Sequence, residues 1–250
     1  DQPYAIDEAE ARLADKSQLA GLQAPAPESA PAMSDRLEAI RHLRAAVGND
    51  KIVEGWVEGP CGAAADLRGI NTLMLDFADD PVFVRDLFEF VVRLAIRFGR
   101  AQAQAGADVV GIGDPAASLV GPRLYRDFVF PYEKRLVDGL HEAGLKVRLH
   151  ICGNTKRILP EIAQLGCDLI DIDSAVKVAD ARAHVGPTTA LVGGIDPVRV
   201  LQMATPAEVT TALEACRQAS GPGYIAGAGC EVPPGTPHEN IEAMLRFARG

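Results

Sequence analysis

From residue 51 onward the sequence predicts an α/β protein of parallel strands, and among such folds a (β/α)8 barrel. Three observations carry that prediction. Short, uninterrupted apolar runs recur along the chain, as strands covered on both faces require. Longer amphipathic stretches separate them, which is the alternation of a parallel sheet with its crossover helices. Each run ends in a polar or glycine-rich elbow, and no dinucleotide-type glycine fingerprint argues for an open doubly wound sheet.

Taken in order, residues 1–36 read as an N-terminal segment and connector, and 37–250 as the barrel domain. An acidic, Ala-rich stretch from Ile6 to Leu19 leads into Gln23-Ala-Pro-Ala-Pro-Glu-Ser-Ala-Pro31, where closely spaced prolines fix φ and remove donors. Ser34-Asp35 offers an N-cap for a helix through Ala46, with Leu37, Ile40, Leu43 and Val47 at helical spacing. The strands are Ile52–Val57, Val109–Ile112, Val147–Ile151, Leu169–Ile172, Ala190–Val192 and Tyr224–Ala226. The helices between them are Pro81–Gln104, Pro122–Glu142, Lys156–Leu165 and Pro206–Ala219. Six strand–helix units are legible where a full barrel has eight. The other two belong before residue 50, and that segment does not supply them, so the expectation is a barrel lacking its N-terminal strands.

Composition narrows the function. In 250 residues, 48% are apolar and 24% charged, which excludes a disordered or fibrous chain. The net charge of −9 repels phosphate backbones, and the nearest basic stripe, Lys146 to Arg148, holds two charges, so nucleic acid is not an expected partner. No run approaches 18 apolar residues, so no membrane span is expected. The opening Asp-Gln-Pro-Tyr lacks the basic-then-apolar order of a secretion signal. Five cysteines, Cys61, Cys152, Cys167, Cys216 and Cys230, are odd in number and widely spaced, which fits reduced thiols in a cytoplasmic protein better than a disulfide scaffold.

In a barrel of this kind the site forms at the carboxyl ends of the strands, so the elbows locate the chemistry. They carry carboxylates, a His and cysteines: Glu58-Gly-Pro-Cys61, Gly113-Asp114-Pro, His150-Ile-Cys152-Gly-Asn154, Asp171-Ile-Asp173, Asp196-Pro and Gly229-Cys230-Glu. In His150-Ile151-Cys152, positions i and i+2 of a strand face the same side. With Cys230, 78 residues later, they supply one nitrogen and two thiolates, a set that suits zinc and leaves a fourth position open. A packed strand end with small buried cysteines reads equally well from an isolated H-x-C. Cys167 and Cys216 sit near helix ends and read as packing residues. Asp171 and Asp173 face one side of their strand, where one of them would cap a helix or pair with Arg182. Glu58, Asp114 and Asp196 are candidate substrate-pocket residues, and each suits a turn as well. His42, His141, His184 and His238 read as surface residues. Neither a phosphate-binding loop nor a nucleophile elbow is present.

Those phrases carry a resemblance. Together with Gly113-Asp-Pro-Ala-Ala-Ser118, Phe130-Pro-Tyr-Glu133, Gly194-Ile-Asp-Pro197 and Thr236-Pro-His-Glu-Asn240, about four-fifths of the chain resembles the uroporphyrinogen decarboxylase superfamily. Within it, the H-I-C-G-N and G-C-E-V-P pair is similar to the corrinoid-dependent methyltransferase branch, of the methylcobalamin:thiol or coenzyme M type. The resemblance implies zinc on His150, Cys152 and Cys230. The zinc core of cobalamin-independent methionine synthase is similar too, and implies Asp173 as a further ligand in the resting state. Members of the superfamily carry additional sequence ahead of the matched region, and Cys61 stands where they usually have an apolar or aromatic residue.

What the resemblance implies is a zinc-dependent enzyme that moves a methyl group between methylcobalamin, supplied by a partner corrinoid protein, and a small-molecule thiol. No cobalamin-binding D-x-H-x-x-G run occurs in the chain itself. Three alternatives share the frame: a methyltransferase loading the corrinoid protein from a methylated substrate, a uroporphyrinogen decarboxylase-like protein, and a non-catalytic zinc-bearing barrel.

Overall fold

Pairing of short apolar strands organises the first part of the chain. In the computed structural model, which describes residues 8–250, Glu54–Glu58 (β1) and Val109–Gly113 (β2) lie parallel, in register from Glu54 opposite Val109 to Glu58 opposite Gly113. All five residues of β2 are buried, as a strand covered on both faces requires. Gly111 and Gly113 serve Trp56: a Cβ at either would strike its indole ring, so the pair forms a flat floor for that side chain. Trp56 takes further anchorage from Gln102, which is 1% exposed and accepts from the Trp56 backbone N–H (2.9 Å) while donating to its carbonyl (3.0 Å).

The molecule divides into two compact units, the first ending at Val147 and the second covering Arg148–Gly250. The helices of the first are Pro31–Val47 (α1), Pro60–Arg68 (α2), Ile70–Asp79 (α3), Pro81–Ala105 (α4), Gly121–Leu124 (α5) and Phe130–His141 (α6). α4 is the long spine. Its buried stripe includes Val84, Leu87, Phe88, Val91, Val92, Ala95 and Phe98, spaced at the three- and four-residue intervals of one helix face. Asp80 caps it at Phe83 N (3.2 Å). α4 closes on α6 through two glycines, Gly99 against Leu140 and Gly139 against Ile96.

The structure corrects several boundaries. α1 starts at Pro31 rather than after Ser34-Asp35, because Pro at the first helical position gives up a donor that would be orphaned anyway. The stretch before it is not an extended linker throughout. Glu8–Glu10 and Lys16–Gly21 are 3₁₀ turns, and Leu13 is fully buried. Arg68 pins it, donating to Asp76 (2.7 Å) and to the carbonyls of Leu13 (2.6 Å) and Ala14 (2.8 Å). The amino-terminal Asp-Gln-Pro-Tyr and Ile6, read above for targeting and composition, lie outside the described residues. The helix expected over Pro122–Glu142 is broken by a π turn at Tyr125–Val129, where Phe130 N–H reaches Tyr125 O. Pro131 has no N–H to donate to Asp127, which removes an α-type bond at that point.

In the second unit, Lys146–His150 (β3), Leu169–Ile172 (β4), Ala190–Gly193 (β5) and Tyr224–Ile225 (β6) follow in chain order. β3, whose first two residues precede the unit boundary, is joined to β4 through Arg148–Leu169 and Leu149–Ile170. β4 to β5 and β5 to β6 are parallel as well. The helices are Leu159–Ile162 (α7), Val178–Val185 (α8), Pro206–Ser220 (α9) and His238–Arg249 (α10). Lys156–Leu165 therefore yields a single helical turn rather than a full helix. α9 begins with a complete capping box between Thr205 and Glu208. A small core of Ile195, Leu201, Val209, Leu213 and Ala243 joins it to α10. Six strands occur among the described residues, all six at positions the apolar runs marked. No helix among the described residues is long and apolar enough to cross a membrane.

Candidate metal centre

Parallel strands end on the same edge, so β3, β4 and the chain after β6 deliver their loops together. His150 is the last residue of β3, and Cys152 follows it by two. Cys230 arrives by a different route. The segment ahead of it lies beside the extension of β5, through an Ile195–Ala228 bridge and the bond Gly229 N to Ile195 O (2.9 Å). Gly229 permits that approach, because a Cβ there would stand 2.8 Å from both Ile195 O and Ser174 N.

Three donor atoms converge. His150 Nε2 is 3.1 Å from Cys152 Sγ, the two sulfurs are 3.6 Å apart, and Cys230 Sγ is 3.9 Å from His150 Nε2. All three residues are half-buried and their ligand atoms lie within 4.8 Å of one another. Tetrahedral zinc, with Zn–N near 2.05 Å and Zn–S near 2.3 Å, calls for edges of about 3.6 Å between N and S and about 3.8 Å between two sulfurs. The observed triangle is close to that size, so these residues fit zinc. Burial raises the Cys152 thiol to about 12, with the Cys230 thiol and the Asp173 carboxylate adding to the effect. Such a thiol ionises at neutral pH when a cation replaces its proton.

Behind the triangle stands an ion network around the buried Asp171, with half-buried partners, that the sequence reading missed. Asp171 Oδ2 is 2.8 Å from His150 Nδ1. Arg148 grips the same carboxylate, Nε to Oδ1 at 2.7 Å and Nη2 to Oδ2 at 2.8 Å. Burial raises the Asp171 carboxyl, but the hydrogen bonds from His150 and Arg148 outweigh it and hold it below its ordinary value. An ionised Asp171 accepts a hydrogen bond from His150 Nδ1–H, so the Nε2 lone pair faces the sulfurs. The signal was legible: Arg148 stands two residues before His150 and shares its strand face. Arg182, weighed as a partner for these aspartates, instead clamps carbonyls of Thr189 (2.8 Å), Ser220 (2.8 Å) and Pro222 (3.3 Å).

Other candidates fall elsewhere. Asp173 lies outside the donor triangle and works as a loop staple, Oδ2 accepting from Gly153 N (2.7 Å) and Oδ1 from Ala175 N (2.8 Å). Asp114 is fully buried. Its oxygens accept from Cys61 N (3.2 Å) and Gly62 N (2.5 Å), capping α2 from outside the helix. Burial pushes its pKa up to about 7. Glu133 beside it is pushed well above the carboxylate range by burial and by the Asp114 charge, and it accepts from Tyr125 Oη. Asp196 is a helix cap, accepting from Val198 N (2.9 Å) and Arg199 N (2.8 Å). Glu58 ends β1 and lines a cavity in the first unit. Cys61 and Cys167 are buried packing residues and Cys216 is half-buried, while His42, His141, His184 and His238 are all exposed.

Parallel α/β architecture with a His–Cys–Cys triangle at the strand ends defines a barrel-type protein with three residues that could hold a metal ion. The uroporphyrinogen decarboxylase (URO-D) family model matches residues 7–250, and the chain belongs to that family. A methylcobamide:CoM methyltransferase, MtbA, of Methanosarcina mazei is 32% identical over 215 residues, covering 85% of this chain and 62% of that relative. The MtaA methylcobamide:CoM methyltransferase of Methanosarcina barkeri is 31% identical over 223 residues, covering 84% and 61%. The chain thus spans about 62% of the length of these relatives. A solved methyltransferase structure from Methanosarcina mazei superposes with a TM-score of 0.85 at 26% identity, over 92% of this chain and 68% of that one.

Proposed function

We propose that this chain carries the zinc-binding catalytic part of a methyltransferase that moves a methyl group between a corrinoid protein and a small-molecule thiol. The observation that carries the reading is the His150–Cys152–Cys230 triangle, of a size that suits zinc and supplying three of its usual four ligands. The names of the MtbA and MtaA relatives supply the reaction class.

Zinc held by the three residues would supply a Lewis acid that lets an incoming thiol lose its proton near neutral pH, and the corrinoid partner would supply the transferable methyl group. The chain's own contributions are binding and orientation. Cys152 and Cys230 bring two negative charges, which balance a divalent cation. Asp171 and Arg148 fix the imidazole plane and its tautomer. Asp173 ties Gly153, the residue after Cys152, to the β4 elbow, so the thiol is presented from a restrained loop. Thiol and methyl donor then meet at one place in a fixed approach, which is where positioning lowers the barrier.

The test uses the whole 250-residue chain, analysed for bound metal and mixed with free methylcobalamin and a panel of thiols, including 2-mercaptoethanesulfonate. Zinc-dependent loss of the methylcobalamin absorbance together with thiol consumption is expected. Cys152→Ser should lose both zinc and thiol methylation while its circular dichroism is unchanged. A Cys152→Ser protein with full zinc content and full activity refutes the reading.

A further inference from the structure

The first unit contains a cavity of about 370 Å³ with mostly apolar walls, among them Trp56, Leu94 and Phe98. Three charged side chains also line it: Arg36 from α1, Glu58 at the end of β1 and Asp66 from α2. They are charges of both signs on a greasy surface, and they do not neutralise one another by contact. Arg36, Glu58 and Asp66 take part in no ion pair among the described residues. Glu58 and Asp66 are close enough that the Asp66 charge raises the Glu58 pKa, second to the effect of burial, while a hydrogen bond from the Trp56 side chain and then the Arg36 charge lower it. Asp66 is raised by burial as well. Two neighbouring carboxylates that make no ion pair are stabilised by an ammonium group placed between them. A guanidinium without a partner suits a carboxylate, which it takes in a bidentate grip.

From this juxtaposition we propose that the cavity binds a small zwitterion with an apolar body, of the class of a hydrophobic α-amino acid. Its ammonium sits between Glu58 and Asp66, its carboxylate on Arg36, and its side chain against Trp56, Leu94 and Phe98. The volume is at the lower end of small-molecule pockets, and apolar walls with a few convergent polar groups are their usual composition. Trp56 is held in place by Gln102 and the glycine floor, so the wall is preformed.

Trp56 is the single tryptophan of the chain, so its emission reports occupancy without a label. The purified chain, with no metal or corrinoid required, is titrated with L-leucine, leucinamide and N-acetylleucine. Leucine is expected to shift the Trp56 emission saturably. Leucinamide, which lacks the carboxylate, and N-acetylleucine, which lacks the ammonium, should each bind at least about tenfold more weakly, the equivalent of about 1.4 kcal/mol. Arg36→Gln should lower leucine affinity to that of leucinamide and leave leucinamide unchanged. Glu58→Gln combined with Asp66→Asn should lower it to that of N-acetylleucine and leave N-acetylleucine unchanged. These three side chains are exposed, so the variants keep the fold, and unaltered circular dichroism verifies it. Equal responses to all three compounds, or no response to leucine at millimolar concentrations, overturn the proposal.

Discussion

His150 and Asp171 face each other across neighbouring strands with Nδ1 and Oδ2 2.8 Å apart, and Arg148 holds the far side of that carboxylate. One residue of the donor triangle is therefore anchored through its second ring nitrogen to an ion pair that is largely withdrawn from water.

The first prediction follows from this anchorage. Asp171→Asn keeps the size of the side chain but weakens the acceptor that fixes the imidazole. Zinc affinity should fall by about 10–100-fold, the usual cost of removing the group behind a metal-bound His. Competition with a chromophoric chelator measures it. Unchanged affinity would mean that His150 needs no support from β4.

A second prediction concerns pH. Asp114, with a native pKa of about 7 against an ordinary value of 3.8, binds more protons folded than unfolded between those limits, and Glu133, raised well above its ordinary 4.5 by burial and by the Asp114 charge, acts in the same direction. The Asp114 contribution to stability is accordingly complete below about pH 4 and is lost as pH rises toward and through 7. Glu133→Gln removes one of the two charges and should flatten the decline. Urea midpoints across pH 5–8 for both proteins, roughly the range spanned by these groups, test this; an equal slope in the variant refutes the assignment.

Arg68 supplies a third. It is 8% exposed, with Asp76 and two carbonyls as partners. Arg68→Ala leaves the Asp76 carboxylate with Lys16 as its remaining cation (2.6 Å) and frees the Leu13–Ala14 segment, at a cost of about 1–3 kcal/mol. Denaturant unfolding reads the loss, and limited proteolysis should cut first ahead of α1.

The crossing of α4 and α6 gives a fourth. An alanine at Gly99 would gain about 1 kcal/mol of helix propensity, yet its Cβ collides with Leu140 Cδ2. Overpacking of this kind costs about 1–3 kcal/mol, so Gly99→Ala should be destabilising overall. Gly99→Ala combined with Leu140→Ala should recover helix propensity while losing core contacts, which separates the clash from the backbone effect.

Much of the fold was legible because strand runs such as Val109–Ile112 and Leu169–Ile172 are short, apolar and bounded by glycine or aspartate elbows. Covered parallel strands have to look that way. The donor residues were legible for a similar reason, since the two-residue period of β3 places His150 and Cys152 on one side. The breaks were harder to read. The helix over Pro122–Glu142 has the right periodicity, and its π turn comes from a proline that removes one backbone donor. Periodicity registers side chains and is blind to such a loss.

What the sequence determined by itself was the class of fold, the strand positions and the chemical kinds of donor available. Tertiary structure alone decided what each carboxylate does. Asp114, Asp171, Asp173 and Asp196 look alike at their strand ends, but one caps α2, one anchors a histidine, one staples a loop and one caps a helical turn. Asp196 meets N–H groups of its own turn, but for the other three the role depends on which N–H or charged group from a distant part of the chain reaches the carboxylate within about 3 Å, the range of a hydrogen bond. Local sequence fixes the acceptor but not the donor that folding brings to it.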